Sequence, residues 1–388
     1  MVYFDNSSTT RQYDEVSLKM LEVMKEDYGN PSSLHRMGIK TEKLVSEARR
    51  EIAKSLHVDE DTIFFTSGGT ESDNTAIICA AQANKRRGKR IITSKVEHPA
   101  ILEPCKYLES QGFEVIYLDV TKEGFVQVDE LKAALTKDTI LVSIMAVNNE
   151  SGAIMPIQNI AREIKEYNKK NGCSILFHSD LVQGYGKLDI DAGILDIASI
   201  SGHKIHGPKG IGAIYVKKGI KIDSFILGGG QEKHFRSGTE NVPAIVGFGV
   251  AAKIARENLS ENTRKMEKIK TMLLTRISEE IKDVKVNTPL DNSVASVLNV
   301  SFLNTRGEVI LHSLEQKNIY VSTGSACASN HKNKGGSHVL RAMGLKDKEI
   351  EGAIRFSFGA LNTENEVDIA LHEIKLAIES FRRLGSFR

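Results

Sequence analysis

Asp196-Ile197-Ala198-Ser199-Ile200-Ser201-Gly202-His203-Lys204 passes from an apolar, β-branched stretch directly into polar and basic residues. Such a run predicts a strand buried on both faces, and its polar end predicts the carboxyl edge of a parallel sheet, where α/β proteins bind their ligands. Lys204 lies at that edge, ahead of the turn Gly207-Pro208-Lys209-Gly210. Partial burial disfavours the ammonium form, lowers the pKa from about 10.4 and releases an amine able to bond a carbonyl carbon. A solvated loop lysine before a turn fits the stretch Ser201–Gly210 equally well, so the choice rests on the rest of the chain.

Working outward, the same strand, loop and helix pattern repeats. Strands are predicted over 62–66, 90–93, 114–118, 140–145, 174–178, 197–200 and 212–216, separated by amphipathic stretches. Seven short β-branched runs of this kind predict a mostly parallel sheet covered on both faces. Upstream, helices are predicted over 16–24 and about 39–56, broken by Gly29-Asn30-Pro31. Downstream of Pro243, the helix-forming stretch 245–277 crosses to a second unit, with strands over 297–302 and 353–358 and helices near 308–316 and 366–384. The expected organisation is a large α/β domain over 14–255 and a small α+β domain built from 1–13 and 256–388. A chain of 388 residues is long enough for both.

The charge balance of 52 Lys and Arg against 50 Asp and Glu argues against a dedicated nucleic-acid or membrane binder, and Lys85-Arg86-Arg87 reads as a solvated helix end. Neither a leader pattern nor a run of about 20 apolar residues is evident, so the expected location is the cytoplasm. Cys79, Cys105, Cys173 and Cys327 form neither a disulfide framework nor a Cys-x-x-Cys pair.

Collecting the polar residues after each strand assembles one crevice: Thr66-Ser67-Gly68-Gly69-Thr70, Glu97-His98, Asn148-Asn149-Glu150, Asp180-x-x-Gln183 and Ser201-x-His203-Lys204. Gly68-Gly69-Thr70 sits between a strand and a helix, where free amides and the helix dipole favour an anion such as phosphate. It lacks the Gly-Lys-Ser/Thr ending of a P-loop. A carboxylate such as Asp180, facing a pyridine nitrogen, would keep that nitrogen protonated, as an electron sink requires. His98 either caps a turn before Pro99 or serves proton transfer and ring stacking in the crevice. His178, Asp180, His203 and His206 are the competing metal reading; His203 and His206 lack a recognised ligand spacing, and no metal is expected. Cys327 lies in the small, polar stretch Ser322–Asn330, and His331, Lys332 and Lys334 favour its thiolate. The other three cysteines sit in apolar runs and read as structural.

Taken together, Thr66 through Asn74, Val147-Asn148-Asn149-Glu150, Ser201-Gly202-His203-Lys204, Arg236-Ser237-Gly238-Thr239-Glu240-Asn241 and Ser325-Ala326-Cys327 resemble the pyridoxal-phosphate cysteine desulfurases of the NifS/IscS type. The resemblance covers nearly the whole chain. It implies a fold-type I pyridoxal-phosphate transferase architecture, a homodimer, and conversion of L-cysteine to L-alanine with the sulfur left as a persulfide on the enzyme. The acceptor it implies is a protein, either an iron-sulfur scaffold or a tRNA-thiolation enzyme. By the same resemblance, Lys204 carries the Schiff base, Asp180 partners the pyridine nitrogen, Gln183 the ring hydroxyl, and His98 stacks and transfers protons. Gly69, Thr70, Ser201 and His203 hold the phosphate, joined by Thr239 of the second subunit, Asn149 and Arg355 contact the substrate carboxylate, and Cys327 carries the persulfide. An aminotransferase or selenocysteine lyase of the same fold is the near alternative, and a non-catalytic scaffold the distant one.

Three departures from the family pattern stand out. Leu181 follows the aspartate where a small residue is common, and is expected to crowd the cofactor. Ser7-Ser8 replaces small apolar residues. The loop between Cys327 and Ser337 is longer and more basic, which bears on the acceptor.

Overall fold

The computed structural model describes residues 1–324 and 336–385. Cys327 and most of the basic loop after it lie outside the described residues. The strands, in chain order, are β1 (Val2–Tyr3), β2 (Ile63–Thr66), β3 (Arg90–Ser94), β4 (Glu114–Leu118), β5 (Thr139–Ser143), β6 (Leu176–Asp180), β7 (Ile197–Ser201), β8 (Gly212–Val216), β9 (Val284–Val286), β10 (Val297–Phe302), β11 (Ile319–Tyr320) and β12 (Ala353–Ser357).

Strands β2 to β8 form one sheet in the order β2-β8-β7-β6-β5-β3-β4. The neighbours from β7 through β4 run parallel, whereas β8 is antiparallel to both β7 and β2. Every residue of β5, β6, β7 and β8 is buried, as expected of strands covered on both faces. Period-two alternation sends Ile91, Leu141, Leu176 and Ile197 to one face, under the helical stretch Gly69–Asn84 and the helix Pro99–Ser110. Ile92, Val142, Phe177 and Ala198 face the other way, into a core shared with the helices Arg36–Ser55 and Val242–Glu257.

The predicted stretch 245–277 is two helices, Val242–Glu257 and Leu259–Glu280. Between them Asn258 stops the first by turning its side-chain amide onto the Ile254 carbonyl at 2.9 Å. The second helix enters a separate core with Gly307–Glu315 and Asn365–Gly385 over the antiparallel sheet β12-β10-β9. Phe302, Ile354 and Phe356 lie at its centre, together with Val2 and Phe4 from the amino terminus. Val339, Leu340, Met343 and Ala353 pack instead into the first core. The amino-terminal segment then leaves β1, which pairs with β11, and runs across to the carboxyl edge of the large sheet. There Thr10 N donates to the His203 carbonyl at 3.0 Å and Tyr13 N to the His206 carbonyl at 3.0 Å.

Candidate active site

A cavity of ≈ 320 Å³ opens at this edge, and it is lined by Gly69, Thr70, His98, Asn149, Asp180, Gln183, Ser201, His203, Lys204 and Arg355. Strand ends supply most of them, and β12 of the second sheet supplies Arg355. Thr239 lies on the exposed surface of the chain, away from this lining. Ser7, Ser8, Asp73, Met145 and Val182 complete the wall.

Lys204 Nζ donates to the carbonyls of Ser7 and Ser8, at 2.6 and 2.8 Å. The lysine and the amino-terminal segment thus meet although almost two hundred residues separate them. His98 does cap a helix: its Nδ1 accepts the Ala100 amide at 3.1 Å, which leaves the ring proton on Nε2. Burial first, then the charges of Lys204 and His338, lower its pKa to about 4, so the ring is neutral at neutral pH. The capping and crevice readings are both true of this residue.

Asp180 ends β6 fully buried and accepts the Val182 amide at 2.8 Å. Burial raises its pKa to about 6, opposed by that amide and by Lys204. Gln183 gives its Nε2 to the Ser7 carbonyl at 3.0 Å, while its Oε1 accepts from the buried Lys187 Nζ at 3.0 Å. Arg355 is held at three points: Nη1 on the Asn149 carbonyl at 3.1 Å, and Nη2 on Asp5 Oδ1 at 2.8 Å and Ser8 Oγ at 2.7 Å. A Cβ on Gly69 would come within 2.9 Å of Val182 Cγ2, so only glycine lets the helix start sit this close to the wall.

The expectation about Leu181 is corrected. Its side chain is fully buried in the first core, and Val182 faces the cavity in its place. The chain turns after β6 with the Leu181 amide still bonded to Ser199 O at 2.9 Å, which points the following residue at the site. The four side chains of the metal reading do not converge. His178 hydrogen-bonds Ser143 Oγ and Ser199 Oγ, and His206 hydrogen-bonds the Arg11 carbonyl while stacking on Tyr13. Burial pushes the Cys79 thiol up to about 11 and the Cys105 thiol to about 12, as for structural cysteines.

With this geometry in view, the comparisons are decisive. The aminotransferase class-V family model matches residues 2–370. The chain belongs to the class-V aminotransferase family. Within it, the chain is 45% identical to the cysteine desulfurase IscS of Clostridium botulinum (strain Hall), over 99% of this chain and 96% of that one. It is likewise 45% identical to the cysteine desulfurase IscS of Methanosarcina thermophila, over 99% and 93%. A NifS-like protein of known structure superposes with a TM-score of 0.91 at 43% identity, over 97% of this chain and 99% of that one. SspA in complex with cysteine gives 0.81 at 33% identity, over 94% and 100%. The chain is thus a fold-type I enzyme of the NifS/IscS type.

Members of this family use pyridoxal phosphate, and the cavity fits it. Three polar atoms of lining residues, Ser7 Oγ, Asp73 Oδ1 and Arg355 Nε, are buried without a hydrogen-bond partner, as expected where a polar ligand belongs. A lysine amine, a buried carboxyl and a helix start lie around one space, groups of the kinds that an aldehyde, a ring nitrogen and a phosphate call for.

Proposed function

We propose that the protein is a cysteine desulfurase that converts L-cysteine to L-alanine and leaves the sulfur on Cys327. The observation that carries the reading is the gathering of Lys204, His98, Asp180 and Arg355 around one cavity in a chain of this family. Pyridoxal phosphate, when bound, supplies the aldehyde that holds the amino acid and the electron sink that eases rupture of its carbon–sulfur bond.

The chain's own groups do the rest. Lys204 anchors the aldehyde carbon, Asp180 as carboxylate faces the ring nitrogen, and Gln183 the ring hydroxyl. Thr70, Ser201 and His203, with the amides after Gly69 and Thr239 of a second copy, hold the phosphate. Arg355 and Asn149 orient the substrate carboxylate; two guanidinium nitrogens already bonded to the chain fix the plane in which it is met. His98 and Lys204 move the protons that leave and rejoin the amino acid. The Cys327 thiolate attacks the substrate sulfur, a sulfur–sulfur bond forms as the carbon–sulfur bond breaks, and the carbon takes a proton to become alanine.

Beyond the chemistry, the reading places the large domain at 14–255 and the small one at 1–13 with 256–388, in a homodimer. The persulfide goes to an acceptor protein, an iron-sulfur scaffold or a tRNA-thiolation enzyme. Among the described residues no helix is long and apolar enough to cross a membrane, and the expected location is the cytoplasm. A scaffold without catalysis loses its one sequence hint, since Leu181 does not face the cavity. The test is borohydride reduction of the cofactor-loaded protein followed by peptide mapping. The cofactor is expected on Lys204; a label on Lys209 instead would refute the assignment.

A further inference from the structure

One buried amine beside the cavity has no part in the chemistry above. Lys187 is 7% exposed, and among the described residues its Nζ makes one hydrogen bond, to Gln183 Oε1 at 3.0 Å. The charges that act on it, those of Lys204 and Arg355, share its sign. An amine so placed is costly to bury, and its place follows from the turn after β6. The Tyr185 amide bonds the Leu181 carbonyl at 2.7 Å and the Leu188 amide the Gly184 carbonyl at 2.9 Å, which sets residues 183 and 187 four apart on one side of the turn. Gly186, at φ 70°, lets this turn press on the residue after Lys204, for a Cβ there would come within 2.7 Å of Ile205 Cγ2.

The orientation of the Gln183 amide is fixed by what its two neighbours can do. The Ser7 carbonyl only accepts, and it already takes Lys204 Nζ at 2.6 Å, so the Gln183 atom 3.0 Å from it is the nitrogen. Oε1 is left facing Lys187 Nζ, a donor. A flipped amide would set oxygen against oxygen at Ser7 and nitrogen against nitrogen at Lys187. Nε2 carries a second hydrogen, and Gln183 lines the cavity, so this is the donor that the residue has to offer a ligand. Without the Lys187 amine, Oε1 would be buried with no donor, and the amide would be free to turn toward another one.

We propose that Lys187 is a positioning residue: by filling Gln183 Oε1 it holds the amide with Nε2 toward the cavity, so that the ring oxygen of pyridoxal phosphate is met by a donor and not by the amide oxygen. The inference rests on the ring-hydroxyl role given to Gln183. A lysine that only cemented the turn would serve the fold and not the ligand.

The test compares two ligands titrated into the cofactor-free protein, pyridoxal phosphate and its analogue without the ring hydroxyl. The parent is expected to prefer pyridoxal phosphate. Lys187→Met, which keeps much of the side chain's length and removes its N–H groups, should bind pyridoxal phosphate about three- to tenfold more weakly, the size of one lost hydrogen bond, and bind the analogue as the parent does. In a Gln183→Ala background the same change should have no further effect on either affinity. An equal loss for the two ligands, no loss for either, or an undiminished loss in the Gln183→Ala background overturns the proposal. Lys187→Leu carries the same expectation, and failure of both variants to fold would make Lys187 a residue of the fold and overturn it too. A parent-like preference for pyridoxal phosphate in Gln183→Ala would instead refute the ring-hydroxyl reading on which the proposal rests.

Discussion

Two buried carboxylates sit a few strands apart and are treated in opposite ways. Glu232, in the loop before the Arg236–Asn241 motif, receives Arg49 Nη1 and Nη2 and the Phe65 amide, each at 2.8 Å, and the same guanidinium lies over the Phe65 ring. Asp180 accepts the Val182 amide and stands beside Asp73, a second acid with one oxygen unpartnered. The first charge is settled inside the chain and closes a fold contact between residues 183 positions apart. The second lies at the cavity wall, where the proposed cofactor would meet it. Glu232 is compensated by protein groups on every side, whereas Asp180 receives one backbone amide.

That contrast predicts which substitutions damage function and which damage stability. Lys204→Ala removes the amine proposed to anchor the cofactor, so turnover should vanish while thermal unfolding stays near that of the parent. Alanine formation from L-cysteine and a melting curve, measured on one preparation, check both halves. Arg49→Ala should do the reverse. It strands Glu232 at 3% side-chain exposure, and such a loss costs about 3–5 kcal/mol of stability. Urea unfolding reads this, and the fraction that remains folded should keep the parental cofactor absorbance.

Asp180→Asn should fold normally yet bind pyridoxal phosphate about ten- to a hundredfold more weakly, the value of one hydrogen bond to a charged partner. In the parent protein the carboxylate form is needed and burial places its titration at about 6, so binding should fall as pH drops through that value and hold above it. Equilibrium titration across pH tests both statements. The smallest effect belongs to charges outside the comparison altogether. Neutralising Lys332 and Lys334 should leave alanine production with a small reductant unchanged and slow sulfur transfer to the acceptor protein a few-fold, less so at high salt. Equal transfer rates for the doubly neutralised variant and the parent, at low and at high salt, would remove these lysines from acceptor selection.

Much of the fold was legible in the sequence because burial writes it there. β4, β8 and β10 match their predicted ranges residue for residue, each rich in β-branched and aromatic side chains. β1, β9 and β11 were not readable, since two or three residues carry no period. Nor did the sequence tell that β8 runs against its neighbours, because a strand buried on both faces reads alike in either direction. At the site, the residues at strand ends were found by the carboxyl-edge rule. Ser7 and Ser8 were noticed only as departures, for nothing local says that they arrive from the far end of the chain to meet Lys204. Asp73 stands one turn beyond Gly69 on the same helical face, a spacing that could have marked it. Leu181 and Val182 exchanged roles because the chain turns at the end of β6, where alternation no longer decides direction.

The central claim is that this cavity splits cysteine and passes its sulfur to Cys327. The direct measurement is alanine released per L-cysteine consumed, without any keto acid, together with mass analysis of the Cys327 peptide. The parent protein should release alanine and show one added sulfur on Cys327, and Cys327→Ser should do neither while keeping the visible absorbance of the bound cofactor. Alanine released at the parental rate by Cys327→Ser, or a strict need for a keto acid, would contradict it.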